Sequence, residues 1–178
     1  RSLPAQWTAG AFLTRLLLRR DALEPAREAL RHTLDLQPGH PESALLQLEF
    51  ADALLLHEQP AAALPEYQAV LEGATAPGLE AQAQQGRAEA LVAIGRPAEA
   101  AVAFLRAAEL AQDPARREAS TFRAAELLRD AGLHAQAAES LARFQAAHPA
   151  SPLAPRAALL QGECLDGMKR RVIRMSFR

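Results

Sequence analysis

Apolar residues recur along the chain at the spacings i, i+3, i+4 and i+7, which is the period of a helix buried along one face. Short segments rich in proline and glycine interrupt this pattern at regular intervals. The pattern predicts four antiparallel helix pairs followed by one further helix. The predicted helices cover residues 7–20 with 22–36, 43–57 with 60–72, 80–94 with 97–111, 116–131 with 134–147, and finally 153–168.

The helix pairs repeat with a period of 37 residues. Steps of 37 from Asp21 reach Glu58, Gly95 and Gly132, and each of these residues is predicted to lie in the turn between two paired helices. Small residues in equivalent positions allow paired helices to approach closely, and large ones fill the space between units. The columns are Ala26, Ala63, Ala100 and Ala137; Leu30, Tyr67, Phe104 and Leu141; Leu17, Leu54, Leu91 and Leu128; and Thr14, Ala51, Ala88 and Ala125.

Proline marks several of the helix boundaries. Pro60 and Pro97 are predicted at first helical positions, where the missing N–H removes no hydrogen bond. The connectors QPGHPE, GATAPG, QDPA and HPASP are expected to stop the preceding helices. Pro65 is the exception, because it lies more than a turn inside its helix and should bend the helix or loosen its start.

The segment GRPAEA at the third turn, the small–large–small pattern across each pair, and the closing prolines Pro38 and Pro149 resemble the tetratricopeptide (TPR) repeat. That repeat normally has about 34 residues, so each connector would hold about three more. The resemblance implies an all-α, right-handed α-solenoid of antiparallel helix pairs. HEAT-type repeats are similar in length, but the internal proline expected in their first helix is missing. The implied units are residues 7–42, 43–79, 80–115 and 116–152, then a fifth first helix at 153–168 and a basic C-terminal tail at 169–178.

Residues 144–165, FQAAHPASPLAPRAALLQGECL, resemble the joints between repeats in bacterial cell-envelope TPR proteins. These include the periplasmic Tol-Pal accessory protein and the outer-membrane-assembly lipoprotein, whose joints follow F-x-x-x-hydrophobic/aromatic-P-x-S-x-x-A. His148 stands where the aromatic residue is usual. Because the match is short, the compartment stays open between the bacterial cytoplasm and the periplasm.

Composition narrows the class of protein further. The chain has 178 residues, of which 49% are hydrophobic and 23% charged, so it is long enough for one ordinary core and too polar for a membrane span. A single cysteine, Cys164, excludes an internal disulfide framework and a cysteine-based zinc site. The chain begins at Arg1 and has no signal-peptide apolar region, so we expect a processed chain or a fragment of a larger protein.

The sequence contains no constellation typical of an enzyme. It has no glycine-rich phosphate loop and no G-x-S-x-G turn. Cys164 is interpreted as a small buried hydrophobe rather than a reactive thiol. We therefore expect a non-catalytic protein with no metal and no cofactor. The histidines, which lack a metal-ligand spacing, are His32, His40, His57, His134 and His148.

In the architecture that the resemblance implies, the first helices of successive units line a concave groove, and equivalent positions form rows along it. The position six residues before each turn holds Arg15 in the first unit and an acid in the following four. An acidic row beside apolar pockets favours a basic or amphipathic segment of another protein, or of a second copy, as the ligand. The acids are Asp52, Glu89, Glu126 and Glu163, and the apolar groove residues are Leu45, Leu48, Val92, Phe122 and Leu159.

Two alternatives stay open. The acids would be a solvated face if they paired locally with arginines such as Arg87 and Arg123. The chain would instead be a structural or oligomerisation module of a larger bacterial envelope or regulatory protein if the apolar residues Leu159, Leu160 and Leu165, which lack a covering helix, packed on another surface. The Lys and Asn pattern with which some chaperone-binding TPR proteins hold a C-terminal carboxylate is missing, so that ligand is not expected.

The last ten residues, KRRVIRMSFR, carry five positive charges, whereas residues 1–168 have a net charge of −6. Ten residues without a supporting basic face do not predict nucleic-acid or membrane binding. An unstructured end in solvent is the simpler expectation. Alternatively, this segment docks in an extended form on an acidic surface of its own molecule or of a neighbour.

Overall fold

The structure, a computed structural model, describes residues 3–73 and 76–176, with side chains up to residue 170. Over these residues the chain consists of helices and short connectors, without a strand, so the predicted all-α class is confirmed. The helices are α1 (Leu3–Leu18), α2 (Leu23–Leu36), α3 (Ser43–Leu56), α4 (Pro60–Gly73), α5 (Pro77–Ala93), α6 (Pro97–Leu110), α7 (Pro114–Asp130), α8 (His134–Ala147) and α9 (Ala154–Ser176).

Most helix boundaries lie within a few residues of the predicted ones, but α1 and α9 differ. α1 begins at Leu3 rather than at residue 7. α9 continues to Ser176, so residues 169–176 are helical, and neither the unstructured end nor the extended docked segment considered from the sequence is found over that range. Residues 168–176 contain no proline or glycine, and each residue added to an existing helix gains a hydrogen bond. Residues 177 and 178 lie outside the described part of the chain.

The chain divides into two compact units, Arg1–Ile94 and Gly95–Arg178. In the first unit, α1 packs on α2, α3 on α4, and α4 on α5, while α3 also touches both α1 and α5. In the second unit, α6 packs on α7, α7 on α8, and α8 on α9, while α7 also touches α9. The third predicted helix pair therefore contributes α5 to one unit and α6 to the other.

The repeated sequence columns form the core of both units. The alanine column after the turn is completely buried, and so is the small column before it, where the hydroxyl of Thr14 donates to the carbonyl of Gly10 at 3.0 Å. The large apolar column is buried as well. The residues with 0% exposure are Ala26, Ala63, Ala100 and Ala137, together with Thr14, Ala51, Ala88 and Ala125.

The turn residue lies in the left-handed φ region at all four repeat positions. Asp21, Glu58, Gly95 and Gly132 have positive φ angles of 56°, 57°, 75° and 74°. At three of these turns the residue after the turn donates its N–H to the carbonyl of the column leucine, as Gln59 does to Leu54 at 2.9 Å. The turn residue itself donates to the carbonyl three positions earlier, which completes a Schellman motif. Leu54 and Leu128 thus supply both a core side chain and the acceptor that ends the helix, and Leu17 supplies the acceptor with a half-buried side chain.

The proline inside α4 does not break that helix. α4 runs from Pro60 to Gly73 with Pro65 inside it, and it still begins at the predicted proline. Pro65 has no N–H to donate to the carbonyl of Ala61, four residues earlier. Because Ala61 and Pro65 are both exposed, water can donate to that carbonyl instead. The loosened start expected from the sequence is not observed.

We predict that replacing Glu58 by glycine stabilises the protein. A residue with a Cβ in the left-handed region destabilises the folded state by about 1–2 kcal/mol. Glycine avoids this strain, but it also gives the unfolded chain more conformational entropy, which offsets part of the gain. Glu58→Gly should therefore raise the free energy of unfolding by about 0.5–1 kcal/mol. Urea denaturation followed by circular dichroism measures the change.

Glu58→Ala is the matched control, because it removes the same charge and keeps the Cβ. It should leave the stability unchanged or lower it, whereas Gly132→Ala should lower it by about 1 kcal/mol. Equal stabilisation by Glu58→Gly and Glu58→Ala would assign the effect to the charge and contradict the prediction.

Candidate functional site

Two of the four predicted acids lie open on the face that α1, α3 and α5 form in the first unit. Asp52 on α3 and Glu89 on α5 are both exposed. Asp52 accepts a hydrogen bond from the hydroxyl of Tyr67 at 2.7 Å, and Glu89 accepts one from the side-chain amide of Gln85 at 3.1 Å. Neither acid forms an ion pair with another described residue. Both carboxylates therefore keep oxygen atoms and charge available to a ligand.

Tyr67 links this face to the core. Its side chain on α4 is fully buried, and only a gap in α5 allows its hydroxyl to reach Asp52. The gap is Gly86, because a Cβ at that position would overlap the ring and hydroxyl of Tyr67. Alanine at residue 86 would therefore displace the tyrosine and the hydrogen bond together. We call Asp52, Tyr67 and Glu89, with Gly86, the tyrosine site.

The surroundings of the tyrosine site shift the pKa values of both Asp52 and Tyr67. Desolvation by the surrounding side chains raises the pKa of Asp52 above its ordinary value, and the hydrogen bond from Tyr67 opposes this rise. Burial raises the pKa of Tyr67 far above its ordinary value, and the nearby charges of Asp52 and Glu89 raise it further. Tyr67 is consequently a neutral hydroxyl at any physiological pH. It stabilises the Asp52 carboxylate without cancelling its charge.

A cleft of about 540 Å³ adjoins this site between α1 and α3. Arg15 is held there by Glu49, with its Nε 2.7 Å from Oε2, and Glu42 lies 3.9 Å from another of its nitrogens. Arg15 is therefore neutralised by its own neighbours. The cleft residues are Phe12, Arg15, Leu18, Arg19, Glu49 and Asp52.

The third predicted acid, Glu126 on α7, differs from the expected open carboxylate. It is only 7% exposed and is bound by two arginines. The Nη2 atom of Arg156 on α9 lies 2.6 Å from Oε1, and the Nη1 atom of Arg123 lies 3.2 Å from Oε2. The guanidinium of Arg156 also lies over the ring of Phe122, 5.4 Å from its centroid. Glu126 therefore pairs locally with arginines, as the alternative interpretation of the acidic row proposed.

The fourth acid, Glu163 on α9, is exposed and lies 3.4 Å from a nitrogen of Arg129. That arginine is held more closely by Asp130, at 2.8 Å. Glu163 and Glu126 both lie in the second unit, and Asp52 and Glu89 both lie in the first. A continuous row of four acids stays a prediction.

The predicted apolar groove residues divide into open and buried ones. Leu45 is 39% exposed and Leu159 is 64% exposed, while Val92 is half-buried. Leu48 and Phe122 are almost completely buried, so they belong to the core rather than to an open pocket surface. Cys164 is fully buried as predicted, and burial raises the pKa of its thiol.

Sequence reasoning did not identify three important groups at these sites. The sequence did contain a sign of the Tyr67 hydrogen bond. Tyr67 is the only tyrosine of the chain and occupies a column otherwise filled by leucine and phenylalanine, and a buried hydroxyl needs a hydrogen-bond partner. Gly86 had a weaker signal as a glycine inside a helix. Arg156 had none, because it lies 30 residues from Glu126 along the chain.

Other kinds of site are not found in the described residues. No group of three or more His, Cys, Asp or Glu side chains is placed there to hold a metal ion. Within the same part of the chain, no helix combines the length and the apolar character that crossing a bilayer requires.

Comparison with solved structures confirms the TPR-like fold. The chain is similar to nearly identical TPR-like repeats of the kinesin light chain type from Podosopora anserina, with 18% identity, a TM-score of 0.61, and coverage of 97% of this chain and 92% of the other. It is similar to a tetratricopeptide repeat protein from Parabacteroides merdae, with 14% identity and a TM-score of 0.67 over 93% of this chain, which spans 64% of that protein. It is also similar to the MamA protein, with 16% identity, a TM-score of 0.62, and coverage of 92% of this chain and 88% of the other.

No protein-family model and no curated protein matches the sequence. The fold is thus an α-solenoid of helix pairs, and the TPR resemblance seen in the sequence is confirmed.

We predict that Tyr67→Phe raises the pKa of Asp52 further. The hydroxyl donates to the ionised carboxylate and so lowers the pKa, whereas desolvation, which remains in the variant, raises it. The titration midpoint of the Asp52 carboxyl carbon, followed by NMR, should lie above the ordinary aspartate range in the wild type and higher still in the variant. An unchanged or lower midpoint in Tyr67→Phe would show that the hydrogen bond does not stabilise the carboxylate.

The same shift predicts how stability depends on pH. Because the pKa of Asp52 is raised in the folded state, its contribution to stability is complete below the unfolded pKa and declines as the pH rises through the folded pKa. Asp52→Asn, which cannot ionise, should therefore gain stability relative to the wild type over that pH interval and match it at lower pH. Urea denaturation at several pH values measures the difference, and a constant difference would contradict this assignment.

Proposed function

We propose that the chain is a non-catalytic scaffold that binds a basic or amphipathic segment of another protein on the α1–α3–α5 face of its first unit. The observation that carries the proposal is the tyrosine site. Asp52 and Glu89 are open, are not paired with an arginine, and are oriented by neutral donors. A fixed carboxylate with uncancelled charge is suited to a lysine or arginine side chain of a partner.

The charge balance of the first unit supports a basic ligand. Residues 1–94 hold seven arginines against twelve carboxylates, a net charge of −5. On the α1–α3–α5 face, Arg15 is bound by Glu49, so it does not oppose an approaching cation strongly. Such a field raises the local concentration of a positively charged segment and weakens as salt is added.

Apolar side chains beside the acids give an amphipathic ligand additional contacts. Leu45 on α3 and Phe12 on α1 are exposed, and Val92 on α5 is half-buried. An exposed phenylalanine next to the 540 Å³ cleft offers area that an apolar side chain of the partner would cover. The ligand we propose therefore alternates basic and apolar residues.

A second candidate function is assembly. Leu159 and Leu165 on α9 are exposed apolar residues on a helix whose other side packs on α8, whereas Leu160, which was expected to be exposed with them, is buried. An exposed apolar face of this kind is suited to packing against another copy or another domain. Light scattering separates the two functions, because a strict monomer at high concentration contradicts assembly through α9.

We predict that Asp52→Ala/Glu89→Ala weakens binding of a basic amphipathic peptide about tenfold, since each lost ion pair at an exposed acid contributes up to about 1 kcal/mol. The probe is a fluorescein-labelled synthetic peptide, KRRVIRMSFR, measured by fluorescence anisotropy with the full chain. The wild type should bind it with a roughly micromolar Kd that rises with salt.

Glu28→Ala/Glu72→Ala is the matched control, because it removes the same charge from exposed residues of α2 and α4. The control variant should bind like the wild type, and the analogue QQQVIQMSFQ should not bind. Equal weakening in both double variants, or no binding of the basic probe by the wild type, would refute the proposed face. Glu126 is left intact in this test because its removal would unpair two arginines.

A further inference from the structure

The second unit presents the opposite charge at the equivalent position of the repeat. Residues 95–178 hold 13 basic residues against nine acidic ones, but five of the basic residues stand in the last ten positions, so residues 95–168 have a net charge of −1 and the positive charge is local. Among residues 3–73 and 76–170, Glu126 is the only charged one that is buried. Its two arginines are open: Arg123 is 44% exposed and Arg156 is 62% exposed. The buried acid therefore orients two cations toward solvent.

The balance of these three groups leaves one positive charge uncompensated. Across residues 3–73 and 76–170, the only ionic partner of Arg123 and of Arg156 is Glu126. One carboxylate compensates one guanidinium, and each guanidinium has five N–H groups, more than the contact with Glu126 uses. Arg156 is also held over the ring of Phe122. Arg156 is thus held by the buried carboxylate and the aromatic ring, and Arg123 by the carboxylate alone, which lowers the side-chain entropy lost when a ligand binds.

The surroundings of the arginine pair restrict the ligand. Leu159, one turn after Arg156 on α9, is 64% exposed and offers an apolar contact beside the cations. Seven residues after each arginine, about two helical turns further along its helix, stand the exposed acids Asp130 and Glu163. A long polyanion such as a nucleic acid would meet these acids. A single side-chain carboxylate next to an apolar residue would not.

We propose that Arg123 and Arg156, positioned by Glu126, form a second binding site that takes an aspartate or glutamate side chain of an acidic, apolar-flanked protein segment. Neither guanidinium changes protonation, and no bond is made or broken. The site does not depend on the α1–α3–α5 face. It lies within α7 and α9, which are in contact, and it selects a ligand of the opposite charge. Failure of one site therefore says nothing about the other.

The test uses the full chain and the fluorescein-labelled, C-terminally amidated peptide LELDLE, with LQLNLQ as its uncharged analogue. The wild type should bind LELDLE and not LQLNLQ. Arg123→Gln should weaken binding about tenfold, because one of two charge-assisted contacts is lost while Glu126 keeps the other arginine. Arg143→Gln, an exposed arginine of α8 that pairs only locally with Glu139, is the matched control and should bind like the wild type.

Glu126→Gln is expected to strengthen peptide binding, which a misfolded variant would not do. Glutamine keeps an oxygen acceptor for one arginine and removes the buried negative charge, so LELDLE should bind several-fold more tightly than to the wild type. Unchanged or weaker binding in Glu126→Gln overturns the proposal, and so does equal weakening in Arg123→Gln and Arg143→Gln. If the wild type does not bind LELDLE, or if a single-stranded oligonucleotide displaces the peptide at equal charge, the assigned ligand class is wrong. Circular dichroism melting curves establish that each variant is folded.

Discussion

Close contact at alanine is the constraint on which the structure depends. Ala26, Ala63, Ala100 and Ala137 are completely buried, each five residues beyond a left-handed turn. The large column residue follows one helical turn later on the same helix face. A larger side chain at the alanine would separate paired helices and open a gap around its large neighbour, since tightly packed cores do not accommodate extra methylene groups without strain. Burial of Tyr67 and of the other large residues follows from this close approach.

The sequence was sufficient for the helices, the turns and the core because all three depend on residues that are close along the chain. The repeat register identified Asp21 and Glu58 as turn residues even though neither is glycine, and both have positive φ. The 37-residue period thus predicted these two turns, whereas their residue types alone would not have done so. The end of α9 was predicted wrongly, because the positive charge of residues 169–176 suggested a tail although the lack of proline and glycine there favours a continued helix.

The candidate sites were predicted only in part. The repeat register indicates the backbone position of each acid but not which side chains contact its carboxylate. Asp52 and Glu89 are open as expected. Glu126 occupies the same register position and is buried, because Arg156 reaches it from another helix and Phe122 supports that arginine. Contacts of this kind join residues far apart in sequence, and a single sequence contains no pattern that reveals them.

The residue of the large column differs between the two sites. Tyr67 stands 15 residues after Asp52, and its hydroxyl gives that carboxylate a neutral donor, which Gly86 leaves room for. Leu141 stands at the equivalent distance after Glu126 and has no donor to offer. A carboxylate taken out of water without a neutral donor needs a cation, and Arg123 and Arg156 supply it. The first arrangement leaves a negative charge facing solvent, whereas the second leaves a positive one. Acids at equivalent repeat positions thus leave opposite charges facing solvent, according to whether a neutral donor or a pair of arginines contacts the carboxylate.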